Sequence, residues 1–384
     1  MTLPAPPDPV ALTQALIRCA SVTPEEGGAI TLLEQTLAPF GFTCRRADRG
    51  GVANLYARRG DDGRVFGFAG HTDVVPIGDR ASWARDPFGA EVAGGVIYGR
   101  GAADMKSGVA AFVAAACAEA AEGRLQDGSV ALLITGDEEG EAAHGTLAIL
   151  DAMEEWGERL DLCLVGEPTS VERLGDVMKI GRRGSLNCRL TAKGRAGHVA
   201  YPDRALNPLP PLAALLERLA REPLDQGGPH FQPSSLALTS IDVGNPVTNV
   251  IPESAEARFN IRFNDQHSGR SLIERLQAKC AEATQDSGVE FRLEAKISGE
   301  SFLTEPGELT DLIASAVEGE LGRRPEMNTG GGTSDARFIT RRCPVVEFGL
   351  TGRTMHQVDE CASVSEIESL TRIYRRILKD FFAA

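Results

Sequence analysis

The chain has no C-x-x-C pair, although it carries eight cysteines, Cys19, Cys44, Cys117, Cys163, Cys188, Cys280, Cys343 and Cys361. That absence argues against thiolate zinc sites, and the wide spacing argues against a disulfide framework. Cys117, in an alanine-rich stretch, and Cys163, in an apolar run, read as buried free thiols. Positive charge is also in deficit: the net charge is −14. Such a chain is not a general binder of nucleic acid or anionic membranes. A local arginine cluster could still hold a small anionic substrate. No apolar run approaches the roughly 20 residues that cross a bilayer. The N-terminal MTLPAPPDPVALTQALIRC lacks a basic start followed by an apolar core, so no signal peptide is read. The expectation is a soluble, cytoplasmic protein with no membrane and no nucleic-acid partner. Repeats and low-complexity segments are missing too, apart from a short proline-rich start.

What remains is an ordinary globular balance, 42% hydrophobic and 24% charged over 384 residues, long enough for two domains. Residues 9–40 have a helical apolar pattern broken at Ser21–Gly28. Strand candidates Val52–Arg58 and Val65–His71 follow, then an Ala-rich helix at Gly108–Ala121. VALLIT (Val130–Thr135) and LCLV (Leu162–Val165) are short apolar runs between helices. That rhythm predicts an α/β fold, a mixed, largely parallel sheet flanked by helices. After about Gly181 the order becomes β-α-β-β-α-β: Ser185–Lys193, Asn207–Ala220, Leu236–Val243, Ala255–Phe263, Ser271–Ala283 and Val289–Ile297. This matches an inserted ferredoxin-like α+β unit. The first pattern resumes with a helix at Gly307–Glu320, a strand at Val345–Phe348 and a final helix at Ser363–Phe382. Ser363 and Glu366 have capping-box spacing. The expected bounds are 1–181 with 296–384 for one discontinuous domain and 182–295 for the insertion.

Five segments at predicted strand ends carry metal-binding residue types. GHTDVVP (70–76) offers His71, with Asp73 on the same face of the strand, suited to fixing its second ring nitrogen. GRGAADMKSG (99–108) offers Asp104 on a glycine-flanked loop. TGDEEG (135–140) delivers three consecutive carboxylates to a sheet edge, where they repel unless cations or protons are present. VGEPTS (165–170) offers Glu167, and Thr354-Met355-His356 offers a second histidine. Each alone has a bland alternative: a structural histidine, an N-cap aspartate, a solvated acidic turn, a loop carboxylate. Jointly, two histidines and three carboxylates suit a divalent ion such as Zn²⁺ or Co²⁺. They are too many for one ion and suit a pair roughly 3.5–4 Å apart.

In this order the motifs resemble the M20 family of co-catalytic zinc peptidases and deacylases. The likeness extends to GRRGSL (181–186), AGHVAYP (196–202), TNVIP (248–252), GGGTSDARF (330–338) and MHQVDE (355–360), nearly the whole chain. It implies a di-zinc catalytic domain and an inserted dimerisation domain. Two Zn²⁺ per subunit are implied, with Co²⁺ able to replace one or both. His71 and Glu167 would bind one ion, Glu139 and His356 the other, and Asp104 both. Glu138 would be the general base, and Asp73 would hold His71. His198 would reach the active site of the partner subunit in a homodimer and bind the oxyanion. The implied reaction is hydrolysis of N-succinyl-LL-2,6-diaminopimelate to succinate and LL-2,6-diaminopimelate, a step of diaminopimelate and lysine biosynthesis. Arg182 and Arg262 are candidate clamps for this small anionic N-acyl amino acid. Ser185, Tyr201, Asn249, Gly332 and Thr333 are further implied contacts. One departure stands out: Gly352 occupies a position where some relatives carry a substrate-touching Asn, which leaves that contact to a backbone amide or removes it. A relative acting on another acyl group, such as that of acetylornithine, shares the metal ligands and stays open, as does a metal-binding protein without hydrolytic activity.

Overall fold

The computed structural model describes residues 3–125 and 128–383; the outermost positions of the expected domain bounds, 1 and 384, lie outside it. The described chain divides into two compact units. The first comprises residues up to Ile180 with Thr304–Asn328 and Ser334–Ala384, and the second Gly181–Leu303 with Thr329–Thr333. No helix among the described residues is long and apolar enough to cross a membrane.

The first unit is built on an eight-stranded mixed sheet. Its centre is parallel: Arg64–His71 lies between Gly128–Thr135 and Leu162–Val165, and Val345–Glu347 pairs with Leu162–Val165 in the same sense. Antiparallel strands Leu55–Arg59 and Thr43–Arg46 extend one side. The central strands are buried along almost their whole length, which is why they read as unbroken apolar runs. Helix Ser107–Ala121 is buried nearly all round, its alanines allowing close approach. Beneath it Phe68 stacks on Phe112 at 4.0 Å, and Tyr374 meets both rings edge-on. Helix Val364–Ala383 buries Ile367, Leu370, Ile373, Ile377 and Phe381 on one face.

Its N-terminus differs from the expected reciprocal cap. The Glu366 N–H reaches Ser363 Oγ only at 3.5 Å. The Glu366 carboxylate instead accepts from the Leu174 N–H and the Thr351 hydroxyl, because two neighbouring loops offer it part-buried donors. Strand Thr43–Arg46 (TCRR) was not anticipated either. It is a half-exposed edge strand with no apolar signature.

The second unit is a four-stranded antiparallel sheet in the order Ser235–Asp242, Ser254–Phe263, Gly184–Lys193, Glu290–Gly299. This is the strand order of a ferredoxin-like fold. Alternate residues Leu186, Leu190, Ala257, Phe259 and Ile261 form its core with Leu212, Leu215 and Leu216 of helix Leu209–Arg221 and Leu272 and Leu276 of helix Gly269–Ser287.

Asp225 ties the loops of this unit together. Its carboxylate accepts from the Gly227 and Ser234 N–H groups and Asn264 Nδ2, and lies 3.1 Å from His267 Nε2. Burial alone would raise its pKa, but bonds from Ser234, Gly227 and Asn264 outweigh that and hold it at about 2. A depressed pKa means stabilisation that is complete above the unfolded value of about 3.9 and is lost as pH falls from there toward 2. Asp225→Ala is therefore expected to lower unfolding free energy by roughly 2 kcal/mol at neutral pH. Denaturant midpoints should show the difference from wild type shrinking below about pH 4. A difference that is constant with pH would contradict this account.

Candidate metal centre

The parallel strands bring their carboxyl ends to one sheet edge. His71 and Thr135 are register partners, as are Ala69 and Val165, so His71, the TGDEEG turn and Glu167 emerge side by side. His71 is 1% exposed. Its Nδ1 donates to the Asp73 main-chain carbonyl at 2.9 Å, which leaves Nε2 to face Asp104 Oδ1 at 3.2 Å and Glu167 Oε1 at 3.9 Å. The Asp73 carboxylate is 3.5 Å from Nδ1. Its closer partners are the Thr23 hydroxyl at 2.6 Å and the N–H groups of Glu138 and Glu139 at 3.2 and 3.1 Å. Asp73 thus fixes the His71 ring chiefly through its backbone, while its side chain anchors the turn that carries the two glutamates.

Asp104 lies in an irregular turn, Ala102–Lys106, that leads into helix Ser107–Ala121. It does not cap that helix, whose N-cap position is Lys106. One carboxylate oxygen faces His71 Nε2 and the other faces His356 Nε2, each at 3.2 Å. His356 also meets Glu139 Oε1 at 2.9 Å. It sits on a loop with left-handed backbone, φ 62° at His356 and 56° at Asp359, a conformation a non-glycine residue keeps only when its surroundings impose it. Close backbone contact holds the neighbouring loops: a Cβ at Gly349 would lie 2.5 Å from the Glu167 carbonyl oxygen. Asp137, the first acid of TGDEEG, turns away and accepts the His144 N–H, a structural role.

Among the described residues three groups of donors result, the donor atoms within each lying within 4.8 Å of one another: His71–Asp104–Glu167, Asp104–Glu139–His356 and His71–Glu138–Glu139. The first two share Asp104 through opposite oxygens. The electrostatics fit cations at both. Burial and the neighbouring carboxylates push the Glu138 and Glu167 carboxyls well above their ordinary range. Burial opposes charge on His71, but Asp104, Asp73 and Glu167 outweigh it and raise its pKa well above normal. Bonds to Asp104 and Glu139 lift His356 to about 10. Protons on these groups neutralise a cluster whose donor types, imidazole and carboxylate, are those of a two-metal site.

The remaining candidates lie in the second unit. Ser185 is buried opposite Arg262 in the strand register, and Arg182 Nη1 donates to the Gly330 carbonyl. Among the described residues, Arg262 Nη1 and Arg183 Nε are buried without a hydrogen-bond partner. Burial and the adjacent Arg183 lower the Arg262 pKa. His198 and Tyr201 are exposed with ring centroids 5.8 Å apart, and Asn249 is held through its carbonyl by the Val199 N–H. His198 Nδ1 accepts from the Ala200 N–H at 3.1 Å, so the neutral ring carries its proton on Nε2. Gly332 is exposed and Thr333 half-buried on the short segment Thr329–Thr333. In the first unit, the Gly352 N–H donates to the Ser170 carbonyl at 3.1 Å.

Sequence reasoning missed Asp335, Glu360 and Arg100. Asp335 is buried 3.7 Å from Arg337, and burial raises it to about 6 against the pull of that arginine. Its only signal was membership of GGGTSDARF. Glu360 closes the MHQVDE motif and Arg100 lies inside GRGAAD, yet neither stretch says what those residues touch.

Comparison with known proteins bears on this arrangement. A family model described as peptidase family M20/M25/M40 matches residues 67–380. A succinyl-diaminopimelate desuccinylase of Cereibacter sphaeroides is 62% identical over 98% of this chain and 100% of its own. One of Ruegeria pomeroyi is 57% identical over 98% of this chain and 99% of its own. Among solved structures, the aminopeptidase PepT of Bacillus cereus superposes with a TM-score of 0.81 over 98% of both chains at 18% identity. An M20 family dinuclear metal-binding peptidase of Bacillus subtilis reaches 0.75 at 14% identity, again over 98% of both. At that identity the solved structures speak to the fold alone. The family model and the close relatives together carry more, and on them the chain belongs to peptidase family M20/M25/M40.

Proposed function

We propose that this chain is a two-metal amide hydrolase that converts N-succinyl-LL-2,6-diaminopimelate and water to succinate and LL-2,6-diaminopimelate. The observation that carries the chemistry is Asp104, one carboxylate shared by two donor sets with a further glutamate, Glu138, beside them. The substrate rests on the relatives at 56–62% identity, which are named for that reaction.

His71, Asp104 and Glu167 would hold one cation and Asp104, Glu139 and His356 the other, Zn²⁺ at both with Co²⁺ as a replacement. Cations held there would supply Lewis-acid chemistry, lowering the pKa of a bound water toward about 7 and polarising the scissile carbonyl. Glu138 takes the proton of the attacking water on its carboxylate. The water oxygen bonds to the succinyl carbonyl carbon, the C–N bond breaks, and Glu138 passes the proton to the leaving nitrogen. Asp73 keeps Glu138 and Glu139 in register through their N–H groups. Arg182 and Arg262 clamp substrate carboxylates, with Ser185, Tyr201, Asn249, Gly332 and Thr333 as further contacts.

His198 of the partner subunit donates Nε2–H to the oxyanion. This makes Gly181–Leu303 both a dimerisation domain and a contributor to the site. The edge strand Ser235–Asp242 supports a homodimer, since it exposes Leu238 and Ile241 at 37% and 58%. A biosynthetic amide hydrolase of this kind belongs in the cytoplasm.

A substrate panel tests the reading. A succinyl carboxylate held by arginine contributes about 1.5–3 kcal/mol that an acetyl group lacks. The expected kcat/KM ratio of N-succinyl-LL-2,6-diaminopimelate over N-acetylornithine is therefore at least about tenfold. Preference for acetylornithine would assign the chain to another branch of the family. Turnover of no N-acyl amino acid, with metal supplied, would make it a binding protein.

A further inference from the structure

Glu360 is fully buried, and its carboxylate receives four donors. Oε2 accepts from Arg100 Nη1 at 2.7 Å and the Gly101 N–H at 3.1 Å. Oε1 accepts from the N–H groups of Ala103 at 2.9 Å and Asp104 at 3.1 Å. These backbone donors belong to an irregular turn, with φ −125° and ψ 100° at Asp104, so regular helical acceptors do not serve them. Arg100, 3% exposed, spreads its guanidinium further, to the carbonyls of Gln357 at 3.2 Å and Pro76 at 3.4 Å, and lies 5.1 Å over the Trp83 ring. The Gly99 N–H donates back to the Glu360 carbonyl. One buried ion pair thereby joins three segments: 70–76 with His71, 99–108 with Asp104, and 354–360 with His356. Neither member of the pair belongs to any of the three donor groups.

We propose that the Arg100–Glu360 pair is a positioning device for the metal centre. It holds the Asp104 peptide so that both oxygens of the bridging carboxylate face their histidines at once. The proposal rests on Asp104 bridging two cations. Its physics is that of an ion pair kept for register rather than stability. An isosteric amide at 360 would keep one acceptor oxygen for Ala103 and Asp104. Its NH₂ would then confront Arg100 and the Gly101 N–H, donor against donor.

The test is a Co²⁺ titration of the metal-free full-length protein by calorimetry, with visible d–d spectra, on wild type, Glu360→Gln, Arg100→Lys and Arg100→Met. Wild type is expected to bind two Co²⁺. E360Q is expected to bind its second ion about 10–100-fold more weakly, with an altered spectrum, as a lost outer partner of a ligand should produce. Its kcat should fall while KM stays within about twofold, because no substrate contact is removed. R100K, keeping the cation, should be milder than R100M. A folded E360Q with both affinities and the spectrum of wild type overturns the proposal. Should E360Q not fold, equal Co²⁺ affinities in R100K, R100M and wild type overturn it instead. A wild type binding fewer than two ions removes the two-metal reading itself, a result separable from loss of the clamp alone.

Discussion

Glu138→Gln is expected to reduce kcat on the preferred N-acyl amino acid by about 10²–10⁴-fold, the usual contribution of a positioned acid–base group. Two divalent ions should remain bound. The reason is the division of labour at the strand ends. Both donor sets that share Asp104 are complete without Glu138, which appears only in the group with His71 and Glu139. Glutamine keeps the volume and leaves the Glu138 N–H on Asp73 undisturbed. It removes only the oxygen proposed to accept and return the proton. KM should change little. Normal turnover in this variant would remove Glu138 from the chemistry, and loss of one ion would make it a ligand.

Asp104→Asn should have the largest effect on the metal centre. The two aspartate oxygens stand equally, at 3.2 Å, from His71 and His356. An asparagine offers one acceptor oxygen, and its NH₂ must face one of the two positions, where a donor cannot bind a cation. Bound ions should fall from two to at most one, and turnover with them. The metal-free protein gives a second readout. His356 is held at about 10 by Asp104 and Glu139 together. Without the Asp104 charge its pKa should move down toward the ordinary histidine value, which NMR titration of the ring would follow. An unmoved His356 together with two bound ions would deny Asp104 its bridging place.

The site was legible because its donors close buried parallel strands. Arg64–His71, Gly128–Thr135 and Leu162–Val165 announce themselves as apolar runs, and each ends within a few residues of a ligand type. The alternation Leu186, Cys188, Leu190 and Ala257, Phe259, Ile261 made the second unit readable in the same way. Thr43–Arg46 carries no such period, being an edge strand with its side chains half in water. Loop chemistry was harder. Asp73 was read as the partner of His71 because the two share a strand face, but its carboxylate is spent mainly on Thr23, Glu138 and Glu139, contacts that strand periodicity does not encode. Glu366 had the spacing of a capping box and found nearer donors across the fold. Arg100 and Glu360 meet across more than 250 residues of sequence, and only the folded loops put them together. Local pattern pointed to the candidate ligands; the contacts around them run between loops far apart in sequence.

The central claim is a pair of cations bridged by Asp104. The most direct measurement titrates Zn²⁺ into the metal-free protein and follows bound metal and hydrolysis of N-succinyl-LL-2,6-diaminopimelate on the same sample. Saturation is expected at two ions per chain, with full turnover reached only as the second ion fills. Full turnover and saturation at a single ion per chain would contradict it.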